Sequence, residues 1–439
     1  MKYYNEKIET MSASKLRELQ SERLKEVVKR VYDSVPYYRA KMDAIGLKPE
    51  DISSIDDITK LPYTEKHDLR ANYPFGLFAV PKKDIVRIHA SSGTTGKLTV
   101  VGYTKRDIDD WSECVARSLV MAGITDCDTI HNAYGYGLFT GGLGLHYGTE
   151  LLGAAVVPCS TGNTPRQLML MKDFGATAVC CTPSYATYLA EEIKKQGYNI
   201  EDFSLKTAIL GAEPWTEEMR DRIEKDLRVK AYNIYGLSEI SGPGVAMECE
   251  ERCGSHVFED FFYPEIVDTV TLEPVKDGEK GELVFTTLNK QGIPLIRYRT
   301  RDITSITHER CKCGRVFARI SRLEGRSDDM LIIRGVNVFP SQIETVLLKL
   351  GDYIAPQYQV IIDRIGSLDV MEIQVELKEE MFSDEIKRVE EIQKQLADDM
   401  QSSIGISAKI TLVSPSSLPR TEGKAKRVID LRKKEGILC

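Results

Sequence analysis

The chain has 439 residues, more than the roughly 250 to 300 that one hydrophobic core accommodates, so two or more domains are expected. Its formal net charge of −7 argues against a nucleic-acid-binding protein, which usually carries a basic stripe. No window holds the roughly 20 apolar residues of a membrane helix, and the start lacks a signal-peptide pattern; we expect a cytoplasmic protein without a membrane partner.

The first predicted element is an amphipathic helix over residues 14–35, where apolar residues recur at helical spacing. From about residue 85, short β-rich runs alternate with helical patterns. This alternation predicts parallel β-α units with helices on the faces of a sheet. The strands are predicted at 85–90, 153–159, 176–182, 207–212, 230–236 and 281–288, and the helices at 107–124, 165–175 and 184–196.

Beyond Gly325 the pattern changes to a compact α+β unit. It has predicted strands at 331–335, 358–364, 370–378 and 408–414, with helices at 340–350 and 383–400. Glycine, serine and paired aspartates at 325–329 suit neither element and favour a domain boundary there. The predicted fold class is therefore α/β, with a large multi-sheet N-terminal domain at 1–326 and a small α+β C-terminal domain at 327–439.

A loop rich in glycine and hydroxyl residues follows the first predicted strand. Its backbone N–H groups, hydroxyls and ammonium are donors that suit phosphate oxygens. A Walker loop is not predicted, because Leu98 stands where that motif needs a hydroxyl and the next run, LTVVGYT, is typical of a strand. An ordinary hairpin loop is the alternative. The candidate phosphate-binding residues are Ser91, Ser92, Gly93, Thr94, Thr95, Gly96 and Lys97.

Four further motifs follow this loop in a recognisable order: NIYGLSE at 233–239, LIRYRTRD at 295–302, GRSDDMLIIRGVNVFPSQIE at 325–344 and LPRTEGKAKRV at 418–428. Together with SSGTTGK at 91–97 they resemble the adenylate-forming acyl-CoA synthetase superfamily. Within it, the whole chain resembles the phenylacetate-CoA ligases. The resemblance implies a ligase that uses ATP and Mg²⁺ to convert phenylacetate, or a close aryl acid, into an acyl adenylate and pyrophosphate. The acyl group then passes to CoA.

The resemblance also implies roles for individual residues. Thr94 and its neighbours in the loop would orient the β and γ phosphates. Glu239 would be the magnesium ligand, with Ser238 near the α-phosphate, although a turn with a solvated glutamate is the alternative. Adenine would be contacted by Tyr235 with Gly236 and bordered by Gly211, Ala212, Glu213 and Pro214. Asp302 and Arg326 would hold the ribose; for Asp302 a salt bridge with a nearby arginine is the alternative.

The small C-terminal domain carries three further residues with roles implied by the resemblance. Lys424, in the sequence Thr-Glu-Gly-Lys, would bridge the carboxylate and the α-phosphate during adenylation. The alternative is a solvated basic tail. Asp328 would be the hinge of a domain rotation, and Gly335 would lie at the edge of the tunnel for the pantetheine of CoA.

The stretch HNAYGYGLFTGGLG combines aromatic residues with five glycines. Aromatic faces and bare backbone can form a flat slot for an aryl ring, although a tight bend in the core is an equally good interpretation. The resemblance points to Tyr136, with Gly137 beside it, as a wall of that slot.

Two segments, MECEERCGSHVFED and THERCKCGRVF, carry thiols close to histidine. Thiolates and imidazole are the ligands of tetrahedral zinc, and four protein ligands would make the zinc structural. Ordinary core or surface thiols are the alternative. Cys253 is a further thiol that could replace Cys249. Some phenylacetate-CoA ligases look similar at the four residues chosen here as metal ligands: Cys249, His256, Cys311 and Cys313.

Two other functions compete with the ligase. One is an adenylating enzyme that passes the acyl group to an acceptor other than CoA, and the other is an inactive, zinc-stapled binding protein. The expected partners are small molecules, namely aryl acid, ATP and CoA. A homodimer is a candidate assembly that the sequence does not decide.

Overall fold

A computed structural model describes residues 2–91, 98–327, 331–333, 336–338, 340–351, 353–365, 368–379, 386–419 and 427–434. The chain divides into two compact units. The first contains Met1–Thr182, Glu192–Ala212 and Arg228–Leu323, and the second contains Pro183–Glu191, Glu213–Leu227 and Glu324–Cys439. Within the part of the chain that is described, no helix has the length and apolar character needed to cross a membrane.

Four helices, Ala13–Ser34, Lys105–Met121, Thr164–Asp173 and Pro183–Lys195, confirm those predicted from the sequence in this part of the chain. The predicted N-terminal helix begins after Ser12, whose side chain accepts a hydrogen bond from the backbone N–H of Lys15, as expected of an N-cap. Its buried face includes Leu24, Val28 and Val31. The helices are α1 (Glu6–Glu9), α2 (Ala13–Ser34), α3 (Pro36–Ala44), α4 (Lys66–Ala71), α5 (Lys105–Met121), α6 (Gly141–Leu152) and α7 (Thr164–Asp173); α8 (Pro183–Lys195) crosses from the second unit into the first.

The first unit is built on one large sheet. Its strand order is β10-β11-β12-β13-β9-β8-β7-β6-β5-β3-β4. The strands from β4 to β7 in this order pair in parallel, as the alternating pattern predicts, and those from β7 to β10 pair antiparallel. The strands are β3 (Thr129–Asn132), β4 (Ala155–Val157), β5 (Ala178–Cys181), β6 (Thr207–Gly211), β7 (Lys230–Leu237), β8 (Gly242–Glu248), β9 (Ser255–Val257), β10 (Phe262–Val267), β11 (Lys280–Thr287), β12 (Tyr298–Thr307) and β13 (Arg319–Ile320).

A separate two-stranded sheet carries the glycine and hydroxyl loop. β1 (Arg87–Ser91) pairs antiparallel with β2 (Thr99–Tyr103), and Ser91 faces Thr99 at the end of the ladder. The prediction that the loop joins two strands, and does not open a helix, is therefore confirmed.

The second unit contains the predicted α+β pattern. A sheet of order β19-β18-β17-β20 packs with α10 and α11 around a core that includes Ile343, Val360, Ile373 and Leu396. A short antiparallel pair of strands, β15 with β16, precedes this sheet in the sequence. The elements are α9 (Glu217–Leu227), β14 (Gly325–Arg326), β15 (Leu331–Ile333), β16 (Val336–Val338), α10 (Pro340–Leu348), β17 (Ile354–Ile365), β18 (Leu368–Leu377), α11 (Ile386–Ile404), β19 (Lys409–Val413) and β20 (Val428–Asp430).

Candidate functional site

The turn between β7 and β8 carries the candidate metal ligand. β7 ends at Leu237, whose carbonyl accepts hydrogen bonds from the backbone N–H groups of Ile240 and Ser241, both at 3.1 Å. Ser238 and Glu239 therefore lie in a tight turn at the end of the strand. The Ser238 hydroxyl is 2.9 Å from the hydroxyl of Thr140, just before α6.

The Glu239 carboxylate is buried and faces a hydroxyl and a cation. Its Oε1 accepts a hydrogen bond of 3.1 Å from the Oγ of Ser91, the last residue of β1. The same oxygen lies 3.0 Å from the Nζ of Lys66, at the start of α4. A buried carboxylate beside the last residue of β1 can offer oxygen to a hard cation such as Mg²⁺. Sequence reasoning did not find Lys66, because nothing in its local sequence relates it to a residue more than 170 positions away.

Tyr235 and Asp302 are brought together from different strands of the sheet. The hydroxyl of Tyr235, in β7, donates a hydrogen bond of 2.6 Å to Oδ2 of Asp302. The ring of Tyr235 stacks near Phe285, with centroids 6.2 Å apart. Asp302 lies inside β12, which continues to Thr307.

The arginines next to Asp302 have carboxylate partners of their own. Arg299 pairs with Glu65 and Glu282, both at 2.8 Å. Arg301 pairs with Glu65 at 3.0 Å. These two cations are therefore engaged by glutamates, and Asp302 is held in place by the hydroxyl of Tyr235.

The backbone of the Glu239 turn is supported by a buried lysine that sequence reasoning also missed. Lys290 is 7% exposed, and its Nζ donates to the carbonyl of Glu239 at 3.1 Å and to that of Ile240 at 2.7 Å. Burial lowers the pKa of Lys290 to about 8, while Asp107 and Glu239 act in the opposite direction. In the sequence, Asn-Lys-Gln-Gly reads as a solvated turn, so no local signal marks this residue.

The aromatic and glycine-rich stretch divides between core and surface. Tyr134 is buried and donates a hydrogen bond of 2.6 Å to the carbonyl of Cys181, so this tyrosine is part of a core bend. Tyr136 is only partly buried; its hydroxyl accepts from Asn132 Nδ2 at 2.8 Å and lies 3.3 Å from His146 Nδ1. Gly137 is exposed. Tyr136 therefore presents an aromatic ring whose position is fixed at its polar end.

The four residues chosen as metal ligands converge at the ends of two hairpins, β8–β9 and β12–β13. Cys249, His256, Cys311 and Cys313 are all buried, and their ligand atoms lie within 4.8 Å of one another. The sulfurs of Cys249 and Cys311 are 3.7 Å apart, far beyond the length of a disulfide bond. The Sγ of Cys313 is 3.3 Å from Nε2 of His256. Hydrogen bonds from Cys249 and then from His256 hold the pKa of the Cys313 thiol well below its usual range.

The surroundings of this cluster orient its members. Nδ1 of His256 lies 2.9 Å from the carbonyl of Phe317, which directs Nε2 towards Cys313. Cys253 is exposed; its sulfur lies 3.8 Å from that of Cys311 and within 2.6 Å of Nη1 of Arg319. Cys253 is thus a neighbour of the cluster and not a member of the group of four.

The remaining predicted residues are placed as follows. Gly211 ends β6 and pairs with Ile234 of β7, and Ala212 follows it with a φ of 72°. Glu213, in the second unit, accepts a hydrogen bond of 2.7 Å from the backbone N–H of Ser184; Pro214 and Arg326 belong to the same unit, and Gly236 lies in β7. Outside the described residues lie Ser92, Gly93, Thr94, Thr95, Gly96, Lys97, Asp328, Gly335 and Lys424.

Comparison with protein families gives two matches that together cover most of the chain. Residues 7–289 match the family described as AMP-binding enzyme, and residues 335–432 match the AMP-binding enzyme C-terminal domain. The curated relatives include a phenylacetate-coenzyme A ligase of Thermus thermophilus, 52% identical over 98% of this chain and 100% of its own length. Another, the phenylacetate-coenzyme A ligase of Escherichia coli, is 52% identical over 97% of both chains.

Solved structures with the same fold include 2-hydroxyisobutyryl-CoA ligase. Its complex with 2-HIB-AMP in the postadenylation state matches at a TM-score of 0.93 and 30% identity, covering 99% of this chain and 93% of that chain. A complex of the same ligase with 2-HIB-AMP and CoA, in the thioesterification state, matches at 0.73 with the same identity and coverage. From the family matches and the full-length relatives, the chain belongs to the AMP-binding enzyme family and, within it, to the phenylacetate-CoA ligases.

Proposed function

We propose that this chain activates phenylacetate, or a close aryl acid, with ATP and transfers the acyl group to CoA. In the first step the carboxylate oxygen attacks the α-phosphorus and pyrophosphate leaves. In the second step the CoA sulfur attacks the acyl carbon, its proton is released and AMP leaves. The observation that carries the proposal is that Ser91 and Lys66 both contact one carboxylate oxygen of the buried Glu239.

Several side chains of the first unit fit requirements of that chemistry. The charge that develops on the phosphate must be met by donors and a cation already in place. Glu239 supplies the carboxylate, and one or two carboxylates are the usual protein share of a Mg²⁺ site completed by substrate phosphates. When bound, Mg²⁺ would neutralise phosphate charge, while Lys66 and Ser91 hold the carboxylate in position. Tyr235, by fixing Asp302, positions a bidentate acceptor for the two hydroxyls of a ribose.

The aryl acid is assigned to the stretch around Tyr136. Its ring offers a flat apolar face, and its hydroxyl is engaged by Asn132 and His146. An aryl ring packs well against such a face, in offset or edge-to-face geometry. The names of the relatives cited above support phenylacetate as the first acid to test.

The cysteine and histidine cluster fits a structural zinc. Two sulfurs bound tetrahedrally at about 2.3 Å from zinc lie about 3.8 Å apart, and sulfur and nitrogen lie about 3.6 Å apart. The distances here are 3.7 Å for Cys249 to Cys311 and 3.3 Å for Cys313 to His256. Four buried protein ligands leave no open position for a substrate, so the role of the metal is to join the two hairpins.

A pyrophosphate-release assay over aromatic acids, with and without CoA, tests the proposed function. We expect release to depend on phenylacetate or a close analogue, and AMP to accumulate catalytically only when CoA is added. Adenylate formation without turnover by CoA would indicate another acyl acceptor. No release with any aryl acid would support a binding protein and contradict an enzyme.

The catalytic lysine of the second unit gives a stepwise prediction. Lys424→Ala is expected to lower adenylation about a hundredfold, because a cation no longer meets the charge between carboxylate and α-phosphate. Thiolation of a supplied acyl adenylate should change by less than about threefold. Single-turnover measurement of each half-reaction makes the comparison, with Lys426→Ala as the matched control from the same basic stretch. Equal losses in both half-reactions would contradict the assigned role.

A second prediction concerns the ribose. Asp302→Asn is expected to raise the KM for ATP about tenfold or more and to leave the KM for the aryl acid unchanged, because hydrogen bonds to a charged group are worth about 1.5 to 3 kcal/mol. Tyr235→Phe removes only the hydroxyl that fixes Asp302 and should raise the KM for ATP by about threefold. Steady-state kinetics measure the KM for ATP at saturating acid and CoA, and the KM for the aryl acid at saturating ATP and CoA. An unchanged KM for ATP in Asp302→Asn would show that this carboxylate does not bind nucleotide.

A further inference from the structure

The backbone of the Glu239 turn is held by two buried side chains. The carbonyls of Glu239 and Ile240 accept hydrogen bonds from Nζ of Lys290 at 3.1 and 2.7 Å. The hydroxyl of Tyr103 lies 3.2 Å from the carbonyl of Ser238 and 3.2 Å from that of Ser241. Four consecutive carbonyls therefore face Lys290 and Tyr103, while the Glu239 carboxylate is left to Ser91 and Lys66.

Lys290 and Tyr103 also support each other. The ammonium lies 4.7 Å from the centroid of the Tyr103 ring, within the range of a cation–π contact. The Tyr103 ring also stacks on Trp111, with centroids 5.3 Å apart and an interplanar angle of 19°. Trp111 in turn donates a hydrogen bond of 2.8 Å to the carbonyl of Pro243, just beyond the turn. The support behind Glu239 is thus a packed stack that reaches from the turn into α5.

The loop that carries Lys290 is itself anchored. Both carboxylate oxygens of Asp107 accept from this loop, one from the backbone N–H of Gln291 at 2.6 Å and the other from that of Gly292 at 2.8 Å. Asp107 belongs to the capping box at the start of α5, with Thr104. Because α5 anchors the loop independently of the turn, the hydrogen bonds from Lys290 can restrain the position of the turn.

A lysine at this place needs a reason. Among the described residues its ammonium makes no ion pair, and moving a cation out of water without a paired carboxylate is costly. A methionine would fill the same space without that cost. What an apolar side chain cannot do is donate to two neighbouring carbonyls and so fix the direction of the peptide that carries Glu239.

We propose that Lys290 is a positioning residue for adenylation, which holds the backbone of the Glu239 turn so that the carboxylate meets the metal bound to ATP. The inference rests on the proposed role of Glu239 as the metal ligand. It assigns to Lys290 no contact with substrate, and it predicts that its loss weakens the binding of the divalent cation more than the binding of the aryl acid.

The test measures Mn²⁺ as a probe for Mg²⁺, by electron paramagnetic resonance of free Mn²⁺, in the presence of α,β-methylene ATP. Lys290→Met is expected to weaken Mn²⁺ affinity about tenfold, equivalent to about 1.4 kcal/mol. Asn289→Ala is the matched control: it alters the same loop, but its side chain donates to Asp110 and not to the turn. Its Mn²⁺ affinity should stay within about twofold of the unaltered chain.

The outcomes separate positioning from a merely structural role. Loss of folded protein lowers the number of Mn²⁺ sites per chain, whereas displacement of Glu239 lowers the affinity of each site. Wild-type affinity per site in Lys290→Met would overturn the proposal. If that variant does not fold, Tyr103→Phe decides, because it removes only the hydroxyl bound to the turn. It is expected to weaken Mn²⁺ about threefold, and unchanged affinity would overturn the proposal.

Glu239→Gln, measured in the same way, distinguishes an error in the role of Glu239 from an error in the role of Lys290. If it leaves Mn²⁺ affinity unchanged, the assignment of Glu239 fails, and the role of Lys290 fails with it. If it abolishes Mn²⁺ binding while Lys290→Met has no effect, the proposed function stands and only the role of Lys290 is wrong.

Discussion

Glu239→Gln is expected to lower the rate of pyrophosphate release about a thousandfold, equivalent to about 4 kcal/mol in the activation free energy. Gln has the shape of Glu and can still accept hydrogen bonds from Ser91 and Lys66, so the turn should keep its conformation. The change removes one negative charge, which is what a divalent cation bound mainly to phosphates needs from the protein. The expected loss is therefore in chemistry and not in folding.

The control for this variant is Glu65→Gln, which makes the same change one residue before Lys66. Glu65 is partly exposed and pairs with Arg299 and Arg301. Such pairs contribute up to about 1 kcal/mol, so we expect pyrophosphate release within about fivefold of the unaltered enzyme. Both rates are measured at saturating Mg²⁺, ATP and phenylacetate. Similar rates for Glu239→Gln and the unaltered enzyme would contradict the assignment of Glu239.

Much of the parallel half of the large sheet was predictable from the sequence, and its antiparallel half largely was not. The strands β5 and β6 are short runs of buried apolar residues that alternate with helices, and this pattern is specific to β-α units. β8 begins Gly-Pro-Gly and β9 has only three residues, so their sequences resemble turns. They form strands because neighbouring strands of the sheet pair with them, and the sequence of a short segment does not report pairing with distant parts of the chain.

The helix α6 shows the same limit. Its sequence, GGLGLHYGTELL, contains residues of low helix propensity, and no helix is predicted there; only residues 141–144 belong to the stretch interpreted as a slot or a bend. A Cβ at Gly144 would lie 2.3 Å from the ring of Trp111, and one at Gly148 would lie 2.3 Å from a methyl group of Val115. These glycines allow α6 to pack closely on α5. Tertiary packing, which periodicity does not report, outweighs their local preference.

The candidate site divides along the same line. Ser91, Tyr235, Glu239 and Asp302 could be proposed because each lies in a motif that can be read locally. Lys66 and Lys290 could not, since each is an isolated lysine in a polar segment and its meaning depends on a turn far away in the chain. Motifs identify the candidate ligand-binding residues, whereas the residues that hold the motifs in place are found only in the fold.

The largest expected effect on stability belongs to the cysteine and histidine cluster. Cys313→Ser is expected to abolish metal binding and to lower the free energy of unfolding by more than about 4 kcal/mol, the range reached when a structural metal is lost. The reason is that Cys313, which shares the β12–β13 loop with Cys311, contacts His256 of β9, so its loss would uncouple the two hairpins. The backbone carbonyl of Cys313 also accepts a hydrogen bond of 2.7 Å from the hydroxyl of Tyr3, so a shift of this loop after loss of the metal would weaken an anchor of the N-terminal segment.

Two control variants separate the effect of losing the metal from the effect of losing a thiol. Cys253→Ser should retain one zinc per chain and lose less than about 1 kcal/mol, because Cys253 is exposed and outside the group of four. Cys114→Ser alters a fully buried thiol away from the cluster and should lose about 1 to 3 kcal/mol without any change in zinc. Zinc is measured by elemental analysis of the purified chain, and stability by urea unfolding.

The result also decides between Cys249 and Cys253, which lie 3.7 and 3.8 Å from the sulfur of Cys311. Distance to Cys311 alone does not separate them, but burial does, because a closed structural site excludes water from its ligands. Cys249→Ser should therefore behave like Cys313→Ser. If Cys249→Ser retains zinc and Cys253→Ser loses it, Cys253 and not Cys249 is the ligand. A stable, zinc-free chain in every variant would show that the four residues are ordinary core side chains.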